Sequence, residues 1–218
     1  MRSIKNSIIT VLSLLLLFGC SNEVQKEVSS SIDTDKIHSE QEIEQELLTL
    51  TTEIFKSLKD GNYERVGEVV DPEYGITFAF YPDFGHPDGY GGQYITLSPK
   101  ELSKNNHKEY IWGYDESSFE YTMTVHDYIQ NMLLKRWGKE HVDYEFITFN
   151  KQTENYGGVI NTIHEYFPDA KYVEYFSPGE EYKERETTHP SFQTLRFIYQ
   201  EKNNKWYLIG IARNVATA

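Results

Sequence analysis

The chain has 218 residues, of which 39% are hydrophobic and 15% aromatic, and its formal net charge at pH 7 is −13. Nucleic acids and anionic lipids are recognised through clustered Lys and Arg, so this charge balance argues against a nucleic-acid-binding protein. The chain contains 1 cysteine, which excludes an intramolecular disulfide.

The first residues have the layout of a secretory signal peptide. Arg2 and Lys5 precede an apolar-leaning segment, 8–18, that is too short to span a membrane, because a spanning helix needs roughly 20 apolar residues. The sequence LFGC, ending at Cys20, resembles the lipobox of bacterial lipoproteins, in which the signal is cut before a diacylated cysteine. The resemblance implies a lipid anchor at Cys20, and the alternative is an ordinary cleaved signal with an incidental free thiol.

These features predict three parts of the chain: a signal peptide (1–19), the lipidated Cys20 with a flexible linker (20–38), and one folded domain (39–218). Without Arg2 and Lys5, 19 basic residues face 34 acidic ones, a net charge of −15. A diacyl anchor would hold the domain stably at the extracytoplasmic face of the cell membrane.

Two helices open the predicted domain. Ser39 and Glu42 have the spacing of a capping box. Behind them, apolar residues recur at three- and four-residue intervals over 43–58, which predicts an amphipathic helix. Asp60 and Gly61 end this helix, and Asn62 is placed to cap a second, short helix that ends at Pro72.

Strand patterns dominate the rest of the chain. Predicted strands cover 76–81, 94–98, 143–149 and 171–177, with hairpins over 108–124 and 192–213. Asn203 and Asn204 suit the tight turn of the last hairpin. Thr124 is expected to cap a helix whose inner face contains Val125, Tyr128, Ile129, Met132 and Leu133, and a short helix is expected over 159–167. The expected class is α+β, with N-terminal helices packed on a curved, mostly antiparallel sheet.

The stretches 54–78 (IFKSLKDGNYERVGEVVDPEYGITF) and 203–212 (NNKWYLIGIA) resemble the opening helices and last hairpin of nuclear-transport-factor-like, SnoaL-type domains of the cystatin-like cone class. The stretches YIWGYDESS and FPDAKYVEYFSPG also resemble uncharacterised secreted bacterial domains. The resemblance implies a cone-like fold with insertions over 81–93 and 178–191, and fold alone does not carry function.

The glycine-rich loop 81–94 contains a candidate metal site. Asp83, His86 and Asp88 are close in sequence, and carboxylate oxygens and imidazole nitrogen are ligands for calcium or zinc. Asp, Gly and Pro are also the ordinary residues of exposed turns, which is the interpretation we favour. The sequence predicts no cofactor.

Three further residues are candidates for acid–base chemistry, because some enzymes of the cone class use a His or Asp that lines the cone. His126 and Asp127 lie in the first turn of a predicted helix, and His164 lies in the short helix. Adjacent helical residues diverge by about 100°, so His126 and Asp127 do not both face one pocket. A structural hydrogen-bonding role is the interpretation we favour for each of them.

Tyr110, Trp112 and Tyr114 alternate along a predicted strand and would share one face of it. Such a row of aromatic side chains can stack on a sugar or grip a peptide. Strands favour aromatic residues for packing alone, which is the alternative explanation.

The sequence therefore favours a membrane-anchored, non-enzymatic module that binds a small ligand or an envelope protein. The alternative is a small-molecule hydrolase or isomerase that uses a His or Asp of the cone pocket. A third hypothesis is an accessory lipoprotein that contacts other proteins through its acidic surface.

Overall fold

A computed structural model describes residues 39–84, 93–103, 105–115, 117–136, 140–153, 161–178 and 192–215. The chain divides into two units, Met1–Ile37 and His38–Ala218, and the second contains every described residue. No helix in these described ranges is long and apolar enough to cross a membrane.

The predicted N-terminal helices are both present. Helix α1 spans Glu40–Lys59 and begins with the expected capping box, in which the Ser39 amide donates to Glu42 Oε2 at 2.8 Å. Helix α2 spans Tyr63–Gly67 and is capped by Asn62, whose Oδ1 accepts from the Arg65 amide at 3.3 Å.

A six-stranded open sheet forms the centre of the domain. With all strands numbered along the chain, those of the sheet are β1 (Ile76–Ala79), β2 (Tyr94–Leu97), β7 (Phe146–Phe149), β8 (Lys171–Ser177), β9 (Gln193–Lys202) and β10 (Lys205–Val215). Their order across the sheet is β2-β1-β10-β9-β8-β7. All pairings are antiparallel except β1 with β10, which run parallel. The predicted α+β class with a mostly antiparallel sheet is confirmed.

The remaining elements surround this sheet. Strands β3 (Glu109–Tyr114) and β4 (Glu120–Thr124) form the expected hairpin and lead into helix α3 (Val125–Tyr128), which continues as a π-helical segment over Ile129–Leu133. A two-residue pair, β5 (Lys135–Arg136) with β6 (Glu140–His141), follows, and helix α4 covers Ile163–Tyr166. A short 3₁₀ helix spans Pro99–Glu101.

The sheet is buried on both faces. We call the face that packs against α1 and α3 the inner face; it contributes residues such as Phe78, Leu195, Phe197 and Ile211 to the larger core. The alternating residues form the outer face, where Ala79, Ile198 and Ala212 pack with Ile163 of α4 in a second core. Burial on both faces explains why 193–199 are buried without alternation.

Candidate functional site

A buried arginine is the centre of an aromatic group on the inner face. Arg213 pairs with Leu195 near the end of β10 and is 0% exposed. Its guanidinium carbon lies 4.8 Å from the centroid of the Phe80 ring. Tyr121, Tyr128 and Tyr144 are close enough for electrostatic interactions with the guanidinium that raise its pKa. We call Arg213, Phe80, Tyr121, Tyr128, Tyr144 and Gln193 the Arg213 cluster.

The hairpin β3–β4 and helix α3 form one wall of this cluster. The ring of Trp112 stacks on that of Tyr128 with centroids 3.7 Å apart and planes 3° from parallel. Trp112 Nε1 donates to the Met123 carbonyl at 2.9 Å, which fixes the indole in place. Gly113 permits the close approach of β3, because a Cβ there would come within 2.7 Å of the Phe80 ring.

Burial controls the charge states within the cluster. Loss of hydration lowers the pKa of Arg213, while the neighbouring tyrosines act in the opposite direction. Guanidinium is protonated throughout the pH range of proteins, so Arg213 retains its positive charge. Burial also raises the pKa of Tyr128 and of Tyr144, so both phenols are neutral hydrogen-bond donors at neutral pH.

The Tyr128 hydroxyl and Gln193 Oε1 are buried and have no hydrogen-bond partner within the described part of the chain. Gln193 Nε2 and the Tyr144 hydroxyl, which lie beside them, both form hydrogen bonds. Gln193 Nε2 donates to the carbonyl oxygens of Met132 and Leu133 and to the Tyr144 hydroxyl, the last at 2.9 Å. The Tyr144 hydroxyl donates to the Leu133 carbonyl at 2.8 Å. Buried polar atoms are normally satisfied, so this donor and this acceptor are candidate contacts for a ligand.

The three residues of the predicted aromatic row differ in burial, and the register of β3 shifts between Ile111 and Gly113. The rings of Tyr110 and Trp112 contact each other with centroids 6.0 Å apart. Trp112 is 2% exposed and belongs to the wall of the Arg213 cluster. Tyr110 is half-buried and its hydroxyl donates to Glu101 Oε1, whereas Tyr114 is 41% exposed. The row is therefore not one continuous exposed surface, and ligand contact by Tyr110 and Tyr114 stays a prediction.

The candidate acid–base residues lie apart. His126 Nδ1 shares a 2.8 Å hydrogen bond with the Tyr63 hydroxyl, and Asp127 is an exposed residue whose Oδ2 accepts from the capping Thr124 hydroxyl. His164 is exposed on α4, with its ring 5.7 Å from that of Tyr172 on the outer face. Because α3 and α4 cover opposite faces of the sheet, His164 does not join the other two. A catalytic role for any of them stays a prediction.

The candidate metal loop is described only at its start. Asp83 is 2% exposed, whereas His86 and Asp88 lie outside the described residues. No group of three or more His, Cys, Asp or Glu that could hold a metal ion is found within the described residues. Cys20 also lies outside them.

Sequence reasoning missed Arg213 and Gln193 as site residues. One signal was present: Arg213 is two residues after Ile211 in an apolar strand, so strand alternation places the charge on the same face as the core. Comparison with known proteins finds no family model that matches the chain and no match among curated proteins.

Proposed function

We propose that the protein is a lipid-anchored extracytoplasmic binding protein whose folded domain takes a small ligand at the Arg213 cluster. The observation that carries the proposal is the combination of a buried cation, aromatic walls and two buried polar atoms that have no partner within the described residues. Ligand sites in proteins are typically apolar and aromatic with a few convergent polar groups.

The geometry defines the chemistry of the ligand. Arg213 favours a negative or electron-rich group, the Tyr128 hydroxyl offers a donor, and Gln193 Oε1 offers an acceptor. Aromatic rings such as those of Phe80 and Trp112 favour a flat or apolar body. A small molecule with an apolar body and one polar end, bearing both an acceptor and a donor, matches these groups.

The same groups favour binding over catalysis. A general acid or base works best when its pKa lies near the operating pH. The cluster offers a guanidinium, an amide and two phenols whose pKa values burial raises further from neutrality. These groups hold a ligand and do not readily exchange protons with it.

We further propose that the domain is a cone of the nuclear-transport-factor-like type. Two N-terminal helices precede the first strand, the sheet is open, and the long hairpin β9–β10 closes the chain, as the sequence resemblance implies. In this arrangement the Arg213 cluster lies between the inner face and α3, on the side that a cone encloses.

A thermal-shift screen of the full-length protein in mild detergent tests the ligand proposal. The panel contains metabolites, cell-wall glycans and short peptides. A ligand at about 100 times its dissociation constant adds about 2.7 kcal/mol, which raises the midpoint of a domain of this size by about 5 °C or more. A panel with no compound that shifts the midpoint would contradict ligand binding and favour a protein partner in the envelope.

Two tyrosine variants provide matched controls. Tyr128→Phe removes a buried hydroxyl that has no partner in the described chain, so we expect it to leave the free protein equally stable or up to about 1 kcal/mol more stable and to weaken the ligand. Tyr144→Phe removes a hydroxyl with two partners, so we expect it to cost about 1–2 kcal/mol. If the ligand raises the unfolding midpoint of Tyr128→Phe as much as that of wild type, it binds outside the Arg213 cluster.

The anchor is tested separately. We expect Cys20→Ala to abolish incorporation of labelled fatty acid and to release the protein from the membrane. The neighbouring Ser21→Ala variant should be lipidated as in wild type. Fatty-acid labelling of cells that express each form measures this. Equal labelling of Cys20→Ala and wild type would refute the anchor and leave the ligand proposal intact.

A further inference from the structure

A second buried polar group lies on the outer face of the sheet, opposite the Arg213 cluster. Glu174 of β8 pairs with Arg196 of β9, and Thr194 of β9 pairs with Asn214 of β10, so all four side chains share one face. Their exposed fractions are 0% for Glu174, Thr194 and Arg196 and 1% for Asn214. We call these four residues the outer polar site.

The site contains an ion pair between Glu174 and Arg196 in which only the carboxylate has all of its polar atoms hydrogen-bonded. Arg196 Nε donates to Glu174 Oε2 at 2.7 Å, and Glu174 Oε1 accepts from the Thr153 amide at 2.7 Å. Both carboxylate oxygens are therefore engaged. The two terminal nitrogens of Arg196 are buried and have no hydrogen-bond partner within the described ranges of the chain.

Thr194 and Asn214 beside Arg196 also have buried polar atoms that lack hydrogen bonds in the described chain. Thr194 Oγ1 and both polar atoms of the Asn214 amide are buried without a hydrogen-bond partner in the described chain. Directly opposed residues of an antiparallel pair have Cβ atoms about 5 Å apart, so these groups fall within reach of one small molecule. Five such atoms on adjacent positions are unusual, because buried polar groups are almost always satisfied.

The site lies near one end of the sheet. Thr194 is the second residue of β9 and Asn214 the penultimate residue of β10. Two apolar residues are paired with residues of the site on neighbouring strands: Phe176 lies opposite Thr194, and Ala212 lies opposite Arg196. A ligand that enters from the strand ends would meet an aromatic ring beside the polar groups.

We propose that the outer polar site binds the carboxylate of a small organic acid or of a peptide C-terminus. The available groups are mainly donors: two terminal guanidinium nitrogens, one amide nitrogen and one hydroxyl. The planar pair of guanidinium nitrogens matches the two oxygens of a carboxylate. Because Glu174 already balances the charge of Arg196, the site accommodates a monoanion more readily than a phosphate dianion.

The test compares each acid with its own amide on the full-length protein in mild detergent. The probes are benzoate with benzamide, and a short peptide with a free C-terminus with the same peptide amidated. At about ten times its dissociation constant, the acid should raise the unfolding midpoint by about 3 °C or more, and the amide should have little effect. Benzoate and the free peptide together distinguish a small-acid site from a peptide-terminus site.

Variants assign the effect to the site. Arg196→Lys keeps a positive charge beside Glu174 but loses the planar nitrogen pair, so we expect at least a tenfold weaker affinity for the acid. Asn214→Ala provides a second test if Arg196→Lys does not fold, with a smaller loss of affinity expected. Tyr128→Phe, on the inner face, should bind the acid as wild type does, which separates this site from the Arg213 cluster.

Two results would overturn the proposal. One is an equal response to acid and amide for both probe pairs up to tens of millimolar. The other is an acid-dependent shift that persists unchanged in Arg196→Lys and Asn214→Ala. Neither result bears on the inner-face ligand, whose own test uses Tyr128→Phe.

Discussion

Replacement of Glu174 by Gln should strongly destabilise the domain, because it leaves the charge of Arg196 buried and unbalanced. Both side chains are 0% exposed, and the ion pair joins Nε to Oε2 at 2.7 Å. Removal of one partner of such a buried pair costs about 3–5 kcal/mol. At about 2–4 °C per kcal/mol for a domain of this size, the midpoint should fall by about 6–20 °C.

Urea unfolding at pH 7, followed by tryptophan fluorescence, measures this free energy. Glu68→Gln is the matched control, because the Glu68–Arg65 pair has side chains that are 60% and 56% exposed, and its loss should cost less than about 1 kcal/mol. Joint replacement by Glu174→Leu and Arg196→Met should recover most of the stability, since apolar residues of similar size replace buried ion pairs at little cost. Equal losses of stability in Glu174→Gln and Glu68→Gln would show that the buried ion pair contributes no more than an exposed one.

Three further predictions concern the backbone and the pH dependence. Gly75→Ala should cost at least about 2 kcal/mol in urea unfolding, because Gly75 has φ +86° and a Cβ there would lie 2.4 Å from the Leu97 carbonyl oxygen; an unchanged midpoint would contradict this. Asn204 has φ +57°, so Asn204→Val should lower stability by about 1–2 kcal/mol while Asn204→Gly is neutral or stabilising. Burial raises the pKa of Tyr128 and of Tyr199, whereas unfolded tyrosines ionise near pH 10. The contribution of these neutral phenols to the free energy of unfolding is therefore intact below about pH 10. Above pH 10 the free energy of unfolding should fall by about 1.4 kcal/mol per pH unit for each tyrosine. Urea unfolding that is unchanged from pH 9 to pH 11 would exclude this.

Local patterns predicted the elements whose causes are local. The spacing of Ser39 and Glu42 predicted the start of α1, and the turn at Asn203 and Asn204 has the positive φ angles of 55° and 57° that a tight hairpin requires. The helix that begins at Thr124 was also predicted, although its π-helical continuation over Ile129–Leu133 was not.

Long-range pairing could not be predicted in this way. The parallel pairing of β1 with β10 joins Phe78 to Ile211, and nothing within either strand specifies a partner so distant in sequence. The β5–β6 pair contains two residues per strand, which is too short to give an alternating pattern.

The candidate site was only partly accessible to sequence reasoning. Tyr110, Trp112 and Tyr114 were expected to share one face of a strand, with core packing as the alternative explanation, and the structure buries Trp112 while leaving Tyr114 41% exposed. Arg213 and Arg196 were overlooked because arginine in a strand usually lies on a solvated face. Their burial follows from a sheet that is covered on both sides.

We propose that a small ligand occupies the Arg213 cluster, and the decisive measurement is a crystal structure of the complex with a compound whose midpoint shift is smaller in Tyr128→Phe than in wild type. We expect the compound on the inner face, with polar atoms within hydrogen-bond distance of the Tyr128 hydroxyl and Gln193 Oε1 and its body against Trp112 or Phe80. Such a compound found outside the Arg213 cluster, with the cluster unchanged, would show that the proposed inner-face site is wrong.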